Sequence, residues 1–232
     1  MQYRVGKVRV VIESILLLYF YFCLTTIFLV GPPLVLKLMG IHLGLRAGTA
    51  ITLGGVLIAE LIALWGVFAY YRRKGIAIGD LGWSLPANKA PVIVLSLAAA
   101  LLYSWYAMQI PQVQENVTEI SLLKAWGLAV GVAAALIEEI IFRGYVMARL
   151  QQAKIPPMFQ VLFASVAFSL LHIGFGLTGV LCTFVVGVAL GGLYVMGRRN
   201  LLGPIVCHCT INALIEPWLL FWLLQFYSEK FA

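Results

Sequence analysis

The sequence predicts an all-α fold, a polytopic bundle of about seven transmembrane helices. The prediction follows from composition, from long uncharged runs and from the placement of basic residues. Of the 232 residues, 62% are apolar and 11% are charged, and the mean hydropathy is +1.00. A water-soluble domain has roughly 45–50% apolar and about 25% charged residues. So little charge indicates lipid as the solvent, and we expect a single transmembrane domain over residues 1–232.

Seven apolar stretches have the length of membrane spans. A bilayer core requires roughly 20 apolar residues in helical form, and the run from Ile15 to Leu36 contains no charged residue. The predicted spans cover about 11–36, 47–71, 90–109, 121–148, 157–174, 176–197 and 203–226. Between the second and third, Ile76–Leu85 fits either an eighth, half-buried segment with Trp83 at the interface or an ordinary tether.

The basic residues predict the orientation of the chain. With the N-terminus in the cytoplasm, eleven Lys and Arg residues fall in inside segments and three in outside segments, as the positive-inside rule requires. The inside set is Arg4, Lys7, Arg9, Arg72, Arg73, Lys74, Lys89, Arg149, Lys154, Arg198 and Arg199, and the outside set is Lys37, Arg46 and Lys230. Topology therefore accounts for the net charge of +7, and no nucleic-acid partner is expected.

A few polar residues lie at predicted membrane depth. An ionised group at a span centre costs at least roughly 2.5–3.5 kcal/mol, so each needs a partner or a hydrated cavity. These residues are Glu60, Glu138, Glu139, Arg143, His172, His208, Asn212 and Glu216. We interpret Glu60 as structural, either at the edge of a cavity or paired with Lys124.

The fourth span separates two adjacent carboxylates. Glu139 and Arg143 are four residues apart and share a helical face, which predicts an ion pair with a structural role. Glu138 lies about 100° around the helix from Glu139, on a face with the small residues Gly131, Ala134 and Ala135. Small residues allow close helix packing, so Glu138 is expected to point into the bundle. There it is either a catalytic base or a carboxyl satisfied by backbone or hydroxyl groups.

The fifth and seventh spans carry further polar groups at helical spacing. Phe168 and His172 are four apart, as are His208 and Asn212. A lone His in an apolar helix is commonly a satisfied core residue. Polar groups from three spans nevertheless have the lowest free-energy cost in the membrane if they lie together. A carboxylate and a His can then activate a water, while a second His and an amide donate to an oxyanion. That arrangement suits amide hydrolysis without a covalent intermediate, since no Ser or Cys nucleophile is paired with these groups.

Three motifs carry a family resemblance over residues 121–215. The segment Glu138-Glu139-Ile-Ile-Phe-Arg143 resembles the EExxxR motif of the CAAX protease and bacteriocin-processing (CPBP, or Abi) family of intramembrane proteases. Phe168-Ser-Leu-Leu-His172 resembles its FxxxH motif, and His208-Cys-Thr-Ile-Asn212 its HxxxN motif. All three occur in the family's order on successive predicted spans.

The resemblance implies a glutamate-dependent endopeptidase whose site opens toward the cytoplasm. By analogy Glu138 and His172 activate the water, and His208 and Asn212 stabilise the oxyanion. Glu139 and Arg143, with Phe168 of the second motif, then support the site. Eukaryotic members remove the last three residues of prenylated CAAX proteins, and bacterial members are linked to peptide maturation, bacteriocin self-immunity and signalling. The small size suggests a bacterial-type member in the inner (cell) membrane, acting on a membrane-associated peptide or protein.

Two other functions compete with this interpretation. A carboxylate and two His residues can form a catalytic zinc site, but the HExxH arrangement is absent, so no cofactor is expected and zinc is the alternative. A polar cavity can also bind a peptide without cleaving it, as in a bacteriocin self-immunity protein. A proton-coupled transporter fits less well, because the sequence has no inverted repeat.

Overall fold

The structure, a computed structural model, describes residues 6–74, 78–83, 90–109 and 121–215. These residues contain no β-strand, which confirms the all-α class. Their long helices are α1 (Lys7–Leu38), α2 (Leu45–Lys74), α3 (Ala90–Ala107), α4 (Leu122–Gln152), α5 (Pro157–Leu170), α6 (Gly176–Met196) and α7 (Leu202–Leu214).

The protein is an integral membrane protein with five described helices that are long and apolar enough to cross a bilayer: α1, α2, α3, α4 and α6. Helices α5 and α7 have 14 and 13 described residues. At about 1.5 Å per residue each is only about 20 Å long, against a bilayer core of about 30 Å. Because these two helices are short, the count of seven spans stays a prediction. The cytoplasmic N-terminus also stays a prediction.

The predicted fifth span, 157–174, was too long. Helix α5 ends at Leu170, and His172 lies in the turn that follows, before a short 3₁₀ helix at Ile173–Phe175. The chain then enters α6 through Gly176, whose φ of 71° favours glycine. Hydropathy did not detect this helix end because the sequence stays apolar across it. The end of the predicted seventh span, including Glu216, lies outside the described residues.

Helix α4 is the central element and contacts α1, α2, α5 and α7. It begins at Ser121, whose hydroxyl accepts a hydrogen bond from the Lys124 backbone N–H and caps the helix. Its α-helical part, Leu122–Glu139, continues into a π-helix at Ile140–Met147 and returns to α-helix at Ala148–Gln152. Every residue of the π-helix is buried. Such π segments are rare and frequently mark functional sites, and this one begins directly after Glu139.

The described part of Ile76–Leu85 packs into the bundle, and the choice between an eighth, half-buried segment and a tether stays a prediction. It forms one 3₁₀ turn, Ile78–Leu81, and the Leu81 side chain is fully buried. Gly144 of the π-helix permits this approach, since a Cβ there would lie 2.9 Å from the Leu81 carbonyl oxygen. Trp83 is 41% exposed.

Two hydrogen bonds join described segments at or near the predicted cytoplasmic end of the bundle. Arg149, near the end of α4, donates to Glu13 in the first part of α1, at 3.0 Å. Arg199, between α6 and α7, donates to Gln160 at the start of α5, at 2.8 Å. These contacts agree with an alternating up-and-down path, whichever side of the membrane that end faces.

Candidate active site

Glu139 is the centre of a buried polar cluster. Its Oε1 accepts a hydrogen bond from Arg143 Nη1 at 2.7 Å and lies 2.8 Å from His208 Nδ1. Glu139 and Arg143 are fully buried and His208 is 4% exposed. The predicted ion pair is therefore confirmed. The contact with His208 was not predicted, and it links Glu139 to an imidazole of α7.

Arg143 connects this cluster to α6. Its Nη2 donates to the Gly187 carbonyl oxygen at 3.1 Å. Its guanidinium also lies over the Phe168 ring, 5.2 Å from the centroid, a favourable cation–π geometry. Gly187 lets α5 and α6 pack closely at this level, because a Cβ there would lie 3.0 Å from the Ser165 Cα.

Glu138 and His208 come together from α4 and α7. Glu138 Oε2 is 3.7 Å from His208 Nε2, and the Glu138 side chain is 13% exposed. The His208 ring thus lies between two carboxylates, with Nδ1 toward Glu139 and Nε2 toward Glu138. A separation of 3.7 Å is too long for a direct hydrogen bond, so the two groups are near neighbours that do not bond to each other.

Phe168 brings the two His residues of the motifs into one cluster. Its ring centroid is 5.1 Å from that of His172 and 5.5 Å from that of His208. His172 lies beyond the end of α5, and its Nδ1 is 3.1 Å from the Phe168 carbonyl oxygen. If Nδ1 donates that bond, Nε2 is the acceptor nitrogen of the ring.

Asn212 joins α7 to the small-residue face of α4. Its Nδ2 donates to the Gly131 carbonyl oxygen at 2.8 Å, and a Cβ on Gly131 would lie 3.6 Å from the Asn212 Cβ. The close approach expected on this face is therefore present. Asn212 Oδ1 is buried and has no hydrogen-bond partner. The amide nitrogen has a second hydrogen with which it can donate.

Two further residues were missed or assigned a different role. The Tyr21 hydroxyl, from α1, makes a short hydrogen bond to Glu60 on α2 and lies 3.4 Å from Glu138 Oε1. The hydrogen-bond partner of Glu60 is thus Tyr21 rather than Lys124. Glu60 lies at the level of Glu138, because Tyr21 contacts both carboxyl groups. Lys124 precedes Glu138 by 14 residues, or about 21 Å of helix, and is therefore far from that level. A tyrosine in a membrane helix has no sequence signature, and Glu60 belongs to no motif.

An apolar groove lies beside the polar cluster. It has a volume of about 810 Å³ and is formed mainly by side chains of α1 and α5, with Phe142 and Leu150 from α4. Phe142 also packs against Tyr21, with ring centroids 6.1 Å apart, and against Phe168, at 5.5 Å. Phe142 therefore contacts both the groove and the cluster.

No group of three or more His, Cys, Asp or Glu side chains is arranged to hold a metal ion in the part of the chain that the structure describes. All four cysteines lie in that part and are free. Cys207 is buried, and the Cys209 thiol donates to the Val132 carbonyl oxygen at 3.7 Å. Both thiols neighbour His208 in sequence, yet His208 bonds to a carboxylate.

The comparison with protein families agrees with the motifs. Residues 120–214 match the family described as type II CAAX prenyl endopeptidase Rce1-like. This segment is thus similar to that family. It contains α4 to α7 and every predicted site residue, and the match confirms the resemblance to CAAX proteases drawn from the three motifs. No curated protein and no solved structure gives a significant match to the chain.

Proposed function

We propose that the protein is an intramembrane endopeptidase of the CAAX prenyl protease type. It hydrolyses a peptide bond in a membrane-associated peptide or protein, using a water activated at Glu138. The observation that supports this most strongly is the placement of Glu138 Oε2 3.7 Å from His208 Nε2, with His208 held by Glu139 on its other nitrogen. The Rce1-like match over the same residues supports the same class of reaction.

Glu139 orients His208 for this role. A carboxylate that accepts from Nδ1–H fixes the imidazole tautomer and ring orientation. Nε2 then faces Glu138, and a water that binds beside the two groups can contact both of them. Arg143 compensates the Glu139 charge, so that the buried carboxylate remains available to His208.

The reaction needs one proton acceptor and one group that stabilises the oxyanion. Glu138, assisted by His172, takes a proton from the water as the oxygen attacks the peptide carbonyl, and returns it to the amine that leaves. His208 Nε2–H and the second Asn212 amide hydrogen stabilise the tetrahedral oxyanion. His208 can donate from Nε2 when both ring nitrogens carry protons.

The apolar groove supports a substrate that is anchored in the membrane. Phe142 lines the groove and also packs against Phe168 of the cluster, and the lining comes mainly from hydrophobic side chains of α1, α4 and α5. An isoprenoid or acyl chain beside the scissile bond would bury apolar surface there, at roughly 0.8 kcal/mol per methylene.

The test is peptide cleavage by purified protein in lipid nanodiscs, followed by mass spectrometry. Farnesylated peptides ending in a CAAX sequence and the same peptides without the lipid are incubated with wild type, Glu138→Gln and Glu13→Gln. Glu13 is the matched control, since it pairs with Arg9 and Arg149 away from the cluster. We expect a defined product with wild type and Glu13→Gln and none with Glu138→Gln.

The same assay separates the alternatives. Full inhibition by a chelator, reversed by zinc, would replace the water-and-carboxylate mechanism with a metal-dependent one. Tight binding of the peptides without any product from wild type would instead favour a peptide-binding protein and overturn the proposal.

A further inference from the structure

A buried residue of α1, Tyr21, contacts the Glu138 carboxyl and is itself bonded to a buried residue of α2, Glu60. The Tyr21 hydroxyl makes a short hydrogen bond to Glu60 Oε1 and lies 3.4 Å from Glu138 Oε1. Tyr21 and Glu60 are each 1% exposed. These residues lie outside the segment that matches the Rce1-like family, which begins at residue 120. Three helices therefore meet at one hydroxyl group.

The number of protons restricts how these groups can be arranged. A tyrosine hydroxyl has one hydrogen, so it donates to only one of two carboxyl groups at a time, while its oxygen can accept a hydrogen bond. Glu60 Oε2 is buried and has no hydrogen-bond partner. A charged Glu60 would thus have one neutral donor, the Tyr21 hydroxyl, and a second buried oxygen without a partner, which is expensive. A neutral Glu60 instead donates to the Tyr21 oxygen, and Tyr21 donates to Glu138.

We propose that Tyr21 and Glu60 form a positioning pair that holds the Glu138 carboxylate in its reactive orientation and hydrogen-bonded state. The inference deepens the proposed function, on which it rests, by adding two residues that act through Glu138. Neither residue needs to touch the substrate. The chain of donors runs from Glu60 to Tyr21 to Glu138 and ends at the carboxylate beside His208.

Other polar groups of the site come from α4, α6, α7 and the turn after α5. Helix α4 contributes a charged pair that is itself compensated, α7 an imidazole, and the turn after α5 a second imidazole, whereas α6 contributes a neutral carbonyl group. In order these are Glu139 with Arg143, His208, His172 and Gly187. Tyr21 is the neutral donor from the α1 side, so its removal changes the hydrogen bonding of Glu138 without removing a charge.

Kinetics of three variants test the pair. Tyr21→Phe deletes one hydroxyl, and we expect kcat to fall about tenfold, the equivalent of one hydrogen bond to a charged group. KM should change less than twofold, since Tyr21 is buried and is proposed to act only through Glu138. The acidic limb of the pH–rate profile should move to higher pH by about one unit, because Glu138 loses a donor that favours its ionised form.

Glu60 provides a rescue experiment. Glu60→Gln keeps a donor for the Tyr21 oxygen and should retain kcat within about threefold of wild type, whereas Glu60→Met should resemble Tyr21→Phe. Tyr194→Phe is the matched control, as Tyr194 is a buried tyrosine on α6 near Arg199, and its pH profile should match wild type. Equal losses in Glu60→Gln and Glu60→Met, without a shift of the pH profile, would show a merely structural role and overturn the inference.

Infrared spectroscopy of the full protein in nanodiscs gives a readout that does not require proteolysis. Wild type should show the carbonyl band of a buried protonated carboxylic acid. Glu60→Gln should remove this band, and Tyr21→Phe should shift it. A band unaffected by both variants would overturn the positioning pair even if peptides are cleaved. The expected band changes without any cleavage would support the pair and count against the protease proposal.

Discussion

Removal of the Arg143 side chain should be among the most destabilising single changes in the described part of the bundle. Arg143→Met leaves Glu139 fully buried without its guanidinium partner at 2.7 Å, and also removes the bond to the Gly187 carbonyl oxygen at 3.1 Å. Breaking a buried pair from one side typically costs about 3–5 kcal/mol. We expect a loss of this size in the free energy of unfolding. The double variant Arg143→Met with Glu139→Gln should recover about 1–2 kcal/mol, because no uncompensated charge remains.

The assay is denaturant titration in detergent micelles, followed by circular dichroism of the helices. Arg149→Met is the matched control: Arg149 also pairs with a glutamate, Glu13, at 3.0 Å, but the Glu13 side chain is 26% exposed. Its removal should cost only about 1 kcal/mol. If Arg143→Met were no more destabilising than Arg149→Met, or if the double variant were no more stable than the single one, the description of a buried compensated cluster would be refuted.

Three further changes test the packing and the chemistry. Gly187→Ala places a Cβ 3.0 Å from a backbone Cα of α5 and should cost about 1–3 kcal/mol of stability in the same titration; an unchanged midpoint would contradict the close approach. Asn212→Asp sets a carboxylate oxygen against the Gly131 carbonyl oxygen, where an amide now donates at 2.8 Å, and should lower kcat at least about tenfold; a rate equal to wild type argues against Asn212 as a donor. Replacing both Cys207 and Cys209 with Ala should leave the cleavage rate within about twofold, since neither thiol acts as a nucleophile; complete inactivation would point to covalent catalysis.

The polar part of the site was largely predictable because lipid penalises isolated charges. Helical spacing alone predicted the Glu139–Arg143 pair, which the structure confirms at 2.7 Å. The same argument brought Glu138 and His208 together from different spans, and their side chains lie 3.7 Å apart. In each prediction, the free-energy cost of leaving a charged or polar side chain isolated in lipid was large enough to exclude most other placements of that side chain.

Features that depend on small energy differences were not predictable. The end of α5 at Leu170 lies within a continuous apolar run, so hydropathy extended the helix through His172. The π-helix of α4 contains Gly144, which Leu81 approaches closely, and such a contact between distant segments has no local sequence signal. Tyr21 was missed because a tyrosine is equally common as a core or interfacial residue, and its importance depends on two carboxylates from other helices.

The most direct measurement of the central claim is a double-mutant cycle on kcat with Glu138→Gln, His208→Ala and the combined variant, using the peptide that wild type cleaves. Both groups are proposed to act on one water and its oxyanion, and residues that act as a unit are strongly non-additive. We predict that the combined variant is no slower than the slower single variant. Fully additive losses would mean that Glu138 and His208 act independently, and would contradict a single site formed between α4 and α7.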